Sequence, residues 1–258
     1  MNSLCSADAA RVSAAVSCFF CVLAAAVLAE LCVKLFNALP AKWFCDYNEQ
    51  PGEDLYRKRL FFRPHGILMA TVLSLSFIGM YYQYTGSFFF FFACCAAAVF
   101  LVLIAAADNK YFIIPDQFTL MLLLIFAAVS GCDLLGGTRL FHSAWLSPLY
   151  GAATGFGLML LLSVAGRLIY QKEAMGFGDV KLFAVAGILT GFPHIITVFL
   201  MTVFLAFLYI IYLILRKRMT RNLYLPLGPY LCFALLLFMA FHRQIQSFAM
   251  WYMSLLNV

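Results

Sequence analysis

The sequence predicts an all-α, polytopic integral membrane protein, and three observations carry that reading. Of its 258 residues, 65% are apolar and 11% are charged, against about 25% charged in an average soluble domain. The apolar residues gather into eight runs, most of them near the 20 or so residues that one helix needs to cross a bilayer. The charges that remain fall unequally on the two sides those runs define. Twenty-eight charged side chains cannot cover an apolar mass that includes 28 Phe, so a soluble globular enzyme, a disordered chain and a nucleic-acid binder are excluded.

The runs are Val12–Phe36, Gly66–Gln83, Ser87–Ala107, Gln117–Cys132, Leu146–Tyr170, Val180–Gly191, His194–Leu215 and Leu227–Phe241. The sixth is short, and the turn Gly191-Phe192-Pro193 divides it from the seventh. The last fifteen residues, with Phe248, Met250, Trp251 and Tyr252, read as an interfacial segment rather than a ninth span. Residues 1–65 form a first unit, a helix and a short basic loop; residues 66–258 form the transmembrane core.

With eight spans, loops 1, 3, 5 and 7 lie opposite both termini. They and their flanks hold 14 of the 17 Lys and Arg, from Lys34, Lys42 and Arg57 to Arg216, Lys217, Arg218 and Arg221. The other side has Arg11, Arg139 and Arg243. The positive-inside rule places the basic loops in the cytoplasm and both termini outside, so the net charge of +6 is an orientation signal. The first helix carries its basic flank, Lys34, at its C-terminal end, which favours a retained helix over a cleaved signal peptide.

Cysteine and histidine offer little chemistry. Cys18, Cys21, Cys32, Cys94, Cys95, Cys132 and Cys232 lie in or at the ends of apolar helices, where Cys packs as a small hydrophobe. Cys18 and Cys21 share a helix face but have no further ligands for a metal. His65, His142, His194 and His242 sit at helix ends or outside, and none belongs to a nucleophile motif. Neither a metal site nor a cofactor is expected.

Two carboxylates are more informative, because ionisable groups at membrane depth are costly. Asp108 follows the run Leu101–Ala107, and Asp179 opens the sixth span; the charge pattern puts both at one membrane face although 71 positions separate them. Two such carboxylates in a water-poor site are the minimal apparatus of an aspartic peptidase. One takes a proton from water while the other, protonated, polarises the scissile carbonyl, the pair sharing one proton. The alternative is two unrelated interfacial aspartates. Asp108 ends one helix and Asp179 begins another, and on helix dipoles alone that favours a protonated Asp108 and an ionised Asp179 as the base.

The neighbouring residues decide between these. Asp108-Asn109-Lys110-Tyr111-Phe112-Ile113-Ile114-Pro115-Asp116-Gln117-Phe118-Thr119 resembles the first signature of the type IV prepilin peptidases, an Asp followed eight residues later by Ile-Pro-Asp-x-x-Thr. Gly176-Phe177-Gly178-Asp179-Val180-Lys181-Leu182 is similar to their second, G-x-G-D-x-K-L. Leu225-Pro226-Leu227-Gly228-Pro229-Tyr230-Leu231 resembles their Pro-Phe-Gly-Pro stretch at the start of a late helix. All three stand in family order, covering roughly Ser87 to Ala240.

The resemblance implies a GxGD aspartic peptidase-like core with Asp108 and Asp179 as the catalytic pair. It implies Gly176, Gly178, Pro115, Asp116, Lys181, Pro226, Gly228 and Pro229 as residues that shape the site. Gly176 and Gly178 would let backbone and substrate approach Asp179. Asp116 also reads as the N-cap region of the fourth helix. Lys181, about 200° round the helix from Asp179, should not pair with it and reads as an interfacial anchor. Pro226, Gly228 and Pro229 either free backbone groups for an extended substrate or form a turn. Gly151 and Gly155 make a G-x-x-x-G suited to close helix packing.

The implied partners are the lipid bilayer and a membrane-inserted prepilin or pseudopilin. Its basic leader would be cut, after a Gly, at the cytoplasmic face of a bacterial inner membrane. Bifunctional members carry two C-x-x-C pairs in a loop after the first helix and also N-methylate their product. Here Asn37–Pro64 has 28 residues and one cysteine, Cys45, so methylation has no support. Its basic strip Arg57, Lys58, Arg59 and Arg63 suits anionic lipid. Two alternatives remain: a presenilin or signal-peptide-peptidase relative, which would have Tyr where Ala107 stands, and a proton-coupled transporter, which should show inverted repeats.

Overall fold

The computed structural model describes residues 2–45, 59–142, 144–170, 176–217 and 225–255. Arg57, Lys58, Ser143, Lys172, Met175, Arg218 and Arg221 lie outside the described residues. So do the side chains of Arg11, Phe248, Met250 and Tyr252.

Among the described residues the chain forms eight α-helices: α1 Asn2–Ala38, α2 Ile67–Gln83, α3 Phe88–Tyr111, α4 Asp116–Leu135, α5 Ser147–Tyr170, α6 Phe177–Thr190, α7 His194–Leu215 and α8 Gly228–Leu255. Seven are long and apolar enough to cross a membrane. The exception is α6, the short sixth run, with 14 residues. α3 runs one turn beyond the apolar stretch, so Asp108 lies inside its last turns. α8 continues to Leu255 but breaks at Phe241 (φ −135°, ψ 23°), where the eighth apolar run ends.

By packing, the chain forms two compact units, whereas the division at residue 65 follows chain order. The first comprises Met1–Leu39, Glu53–Val99 and Met239–Val258. Within it Asn37, near the end of α1, accepts the backbone N–H groups of Arg59 and Leu60 at 2.8 and 2.9 Å and donates to Leu60 O at 2.9 Å. The buried Arg59 guanidinium donates to Phe36 O, at the end where helix carbonyls attract a cation. Gln83 meets the His242 ring at 3.0 Å, and Tyr84 donates to Met239 O at 2.9 Å, a carbonyl just ahead of the α8 break.

The second unit comprises Pro40–Gly52 and Phe100–Phe238. α6 lies at its centre, with Leu182, Phe183, Ala186 and Leu189 fully buried. Close packing against α5 depends on glycines. A Cβ on Gly151 or on Gly187 would collide with the other helix's backbone, and one on Gly155 would stand 2.5 Å from Phe183 O. The G-x-x-x-G of α5 therefore serves helix contact inside the chain, as small residues do in membranes. A single turn of 3-10 helix, Ala41–Phe44, belongs here too: Phe44 packs on Tyr111 and Trp43 on Phe118.

Candidate active site

Three helix ends of the second unit meet around Asp108. α3 stops because Phe112 takes a left-handed backbone (φ 55°) and returns its N–H to Asp108 O at 2.9 Å. That conformation is costly for an aromatic residue, and such strain gathers at functional sites. Pro115 then fixes an extended residue ahead of α4. Thr119 returns its hydroxyl to Pro115 O at 3.3 Å.

Asp108 is 6% exposed. The backbone amide of Gly228, the first residue of α8, approaches its carboxyl. A Cβ at Gly228 would stand 2.5 Å from Asp108 Oδ2, so only glycine fits there. Leu227 O accepts the N–H groups of Tyr230 and Leu231, which makes Pro226–Pro229 a tight helix start. This start also completes the dipole argument. Asp108 ends α3 but faces the positive end of α8, so the α3 dipole alone does not decide which carboxyl holds the proton.

Asp179, the third residue of α6, lies within electrostatic reach of Asp108. Among the described residues no donor reaches Asp108 Oδ2 or Asp179 Oδ1 in hydrogen-bond geometry, although both atoms are buried. Cys232, one turn into α8 and fully buried, lies near both carboxyls. Of the neighbouring helices, α5 extends well past the site. Gly155 backs onto Phe183; from there α5 runs 15 residues to Tyr170, while Asp179 is four residues away. At about 1.5 Å per residue, Asp179 sits about 16 Å short of the α5 end.

The remaining expected residues divide. Gly178 is closely packed, since a Cβ there would stand 3.2 Å from Ile114, whereas Gly176 has nothing within 4 Å and an ordinary negative φ. Asp116 is the first helical residue of α4 and Pro115 holds the cap position, so Asp116 is not the cap. Its carboxylate instead receives Lys181 Nζ at 2.9 and 3.1 Å. Lys181 thus bridges to the first motif. Sequence reasoning missed this pair, the strained Phe112 and the fully buried Asp133 at the other end of α4. An acid directly after an apolar run was the available signal for Asp133.

Residues 95–211 match the type IV leader peptidase family. The leader peptidase HopD of Escherichia coli is 32% identical over 126 residues, 46% of this chain and 74% of that protein. The chain belongs to the type IV leader peptidase family. Within the family, the prepilin leader peptidase/N-methyltransferase of Aeromonas salmonicida is 33% identical over 123 residues, 46% of this chain but only 39% of that protein. HopD of Salmonella typhimurium is 38% identical over 78 residues, 28% of this chain and 43% of that protein. The segment that matches the family contains Asp108, Pro115, Asp116, Gly176, Gly178, Asp179 and Lys181, and ends before Pro226, Gly228 and Pro229. No solved structure is significantly similar.

Proposed function

We propose that this multi-pass protein is an intramembrane aspartic endopeptidase that removes the basic leader of a prepilin or pseudopilin, using Asp108 and Asp179. The observation that carries the reading is a buried Asp108 and a half-buried Asp179 within electrostatic reach of each other, each with a buried, unpartnered oxygen. Buried polar atoms are nearly always satisfied, so these two oxygens are available to a water molecule and a scissile carbonyl. One carboxylate takes a proton from the attacking water, and the other gives its proton to the carbonyl oxygen. The resulting intermediate breaks its C–N bond as the amine leaves protonated, and the pair again shares one proton.

The active site would face the cytoplasm of a bacterial inner membrane, with both termini outside, as the 14-to-3 charge division favours. Methylation is not part of this function. The loop after α1 has one cysteine, and the HopD relatives are named as leader peptidases alone.

The test uses purified full-length protein in liposomes with a polypeptide made of a basic leader, a Gly and an apolar helix, plus S-adenosylmethionine. One cut after the Gly, leaving an unmethylated amine, is expected by N-terminal mapping and mass spectrometry. An intact polypeptide that a prepilin peptidase does cut would overturn the proposal. A product heavier by one methyl group would overturn the restriction to proteolysis. In cells, with native cysteines replaced, a membrane-impermeant thiol reagent should label cysteine placed at Leu135 but not at Asn109; the reverse pattern overturns the orientation.

A further inference from the structure

We propose that the Asp116–Lys181 ion pair is a positioning strut that sets the separation of the Asp108 and Asp179 carboxylates. The proposal rests on the peptidase reading for its consequence but not for its geometry. Lys181 Nζ reaches both oxygens of Asp116, 65 residues away in the chain.

Each end of the pair is tied to one carboxylate by a short, stiff connection. From Asp108 the chain passes the left-handed Phe112 and the extended Pro115, and Asp116 follows at once as the first residue of α4. Asp179 and Lys181 are two residues apart on α6, about 200° around the helix axis, so they leave it on opposite faces. The first turn of α6 is therefore held on one side by Asp116 and offers Asp179 on the other. Beside the ion pair, this turn is held by burial of Val180, 1% exposed. Its N-cap Gly176 makes no side-chain cap, and Gly176 has open space around it. Gly178 against Ile114 gives contact but not direction. Lys181 also lies over the Phe177 ring at 5.3 Å, so its stem crosses the turn it anchors.

The side chains of Lys181 and Asp116 are 35% and 41% exposed. Pairs that wet contribute little to stability, so loss of this one should appear as misplaced carboxylates in a protein that still folds. A catalytic group displaced by about 1 Å costs on the order of 100-fold in rate.

The test measures cleavage of the same leader–Gly–helix polypeptide, together with amide hydrogen exchange of Phe177–Lys181, on full-length protein in liposomes. Lys181→Met and Asp116→Ala should each accumulate normally and lose about 100-fold in kcat with KM nearly unchanged. Lys181→Arg and Asp116→Asn, which keep a hydrogen bond, should stay within about 10-fold of wild type. The exchange of combined Asp116→Lys and Lys181→Asp should recover at least about 10-fold over either reversal alone, as restored coupling requires. Amide exchange in the first turn of α6 should quicken in Lys181→Met and slow again in the swapped protein. Unchanged kcat in both truncations overturns the strut. So does unchanged amide exchange in Lys181→Met, a reading that holds even if the wild type fails to cleave and the peptidase proposal falls. If the swapped protein does not accumulate, a loss in Lys181→Arg as deep as in Lys181→Met also overturns it.

Discussion

The second unit holds buried aspartates at both ends, and they are treated oppositely. At the far end of α4, Asp133 accepts Thr138 Oγ1 at 2.6 Å, Leu140 N at 2.7 Å, and Phe141 N and His142 N at 3.0 Å. At the near end, Asp108 Oδ2 and Asp179 Oδ1 accept nothing among the described residues. One carboxylate is consumed by its own loop, and the other two each keep an oxygen without a donor, as the proposed peptidase requires. The far end even gathers Ser130, His142 and Asp133, yet it is no nucleophile relay. Asp133 binds the backbone of His142 rather than its ring. The Ser130 hydroxyl is spent on Ile188 O at 2.9 Å, so it takes its contact with His142 Nε2 as an acceptor. Residue type is the same at both ends; hydrogen-bond satisfaction is what differs between them.

Asp108→Asn and Asp179→Asn should have the largest effect. Neither amide can cycle a proton, so each should reduce cleavage by at least about 1,000-fold while the protein accumulates normally. Near-normal turnover by either would remove the catalytic assignment. Gly228→Ala should come next, because its Cβ would displace a carboxyl now 2.5 Å from that position. A loss of about 10- to 100-fold in kcat is expected, with membrane levels unchanged. Unaltered kcat would mean that α8 shifts freely and does not define the site. Asp133→Asn should alter turnover least. It loses acceptor capacity under four donors, so stability should fall by about 3 kcal/mol. That loss is read as lower accumulation and earlier thermal unfolding, with kcat per folded molecule preserved. A selective loss of kcat would show that the two ends are not separate in role.

Much of the fold was legible because apolar runs are local quantities. His194–Leu215 reads identically in sequence and structure. Asp108 and Asp179 were legible because motifs surround them. Their neighbours were harder where the partner is remote. Lys181 looked like an anchor because helical geometry excludes only its near neighbours as partners; nothing in its periodicity points to Asp116. In sequence Gly228 reads as freed backbone or a turn, but its constraint, the Asp108 carboxyl, comes from a residue 120 positions earlier. Asp133 obeyed the same membrane-depth rule as Asp108 and was passed over because no motif accompanied it. Gly176 differs from Gly178 in that its surroundings in the chain are open, so any steric demand on it would come from a substrate.

The shortness of α6 has a consequence for supply. Peptide hydrolysis uses up one water for every bond cut, and hydrocarbon holds almost none. Fourteen residues extend about 21 Å, leaving about 9 Å of a 30 Å hydrocarbon layer without helix. Its far end is fastened to α5 through the Phe192 N–H bond to Ser147 O at 3.1 Å. A helix about six residues short of a full span cannot end at both faces of that layer at once, so the proposed chemistry requires the protein to bring water to the Asp179 end.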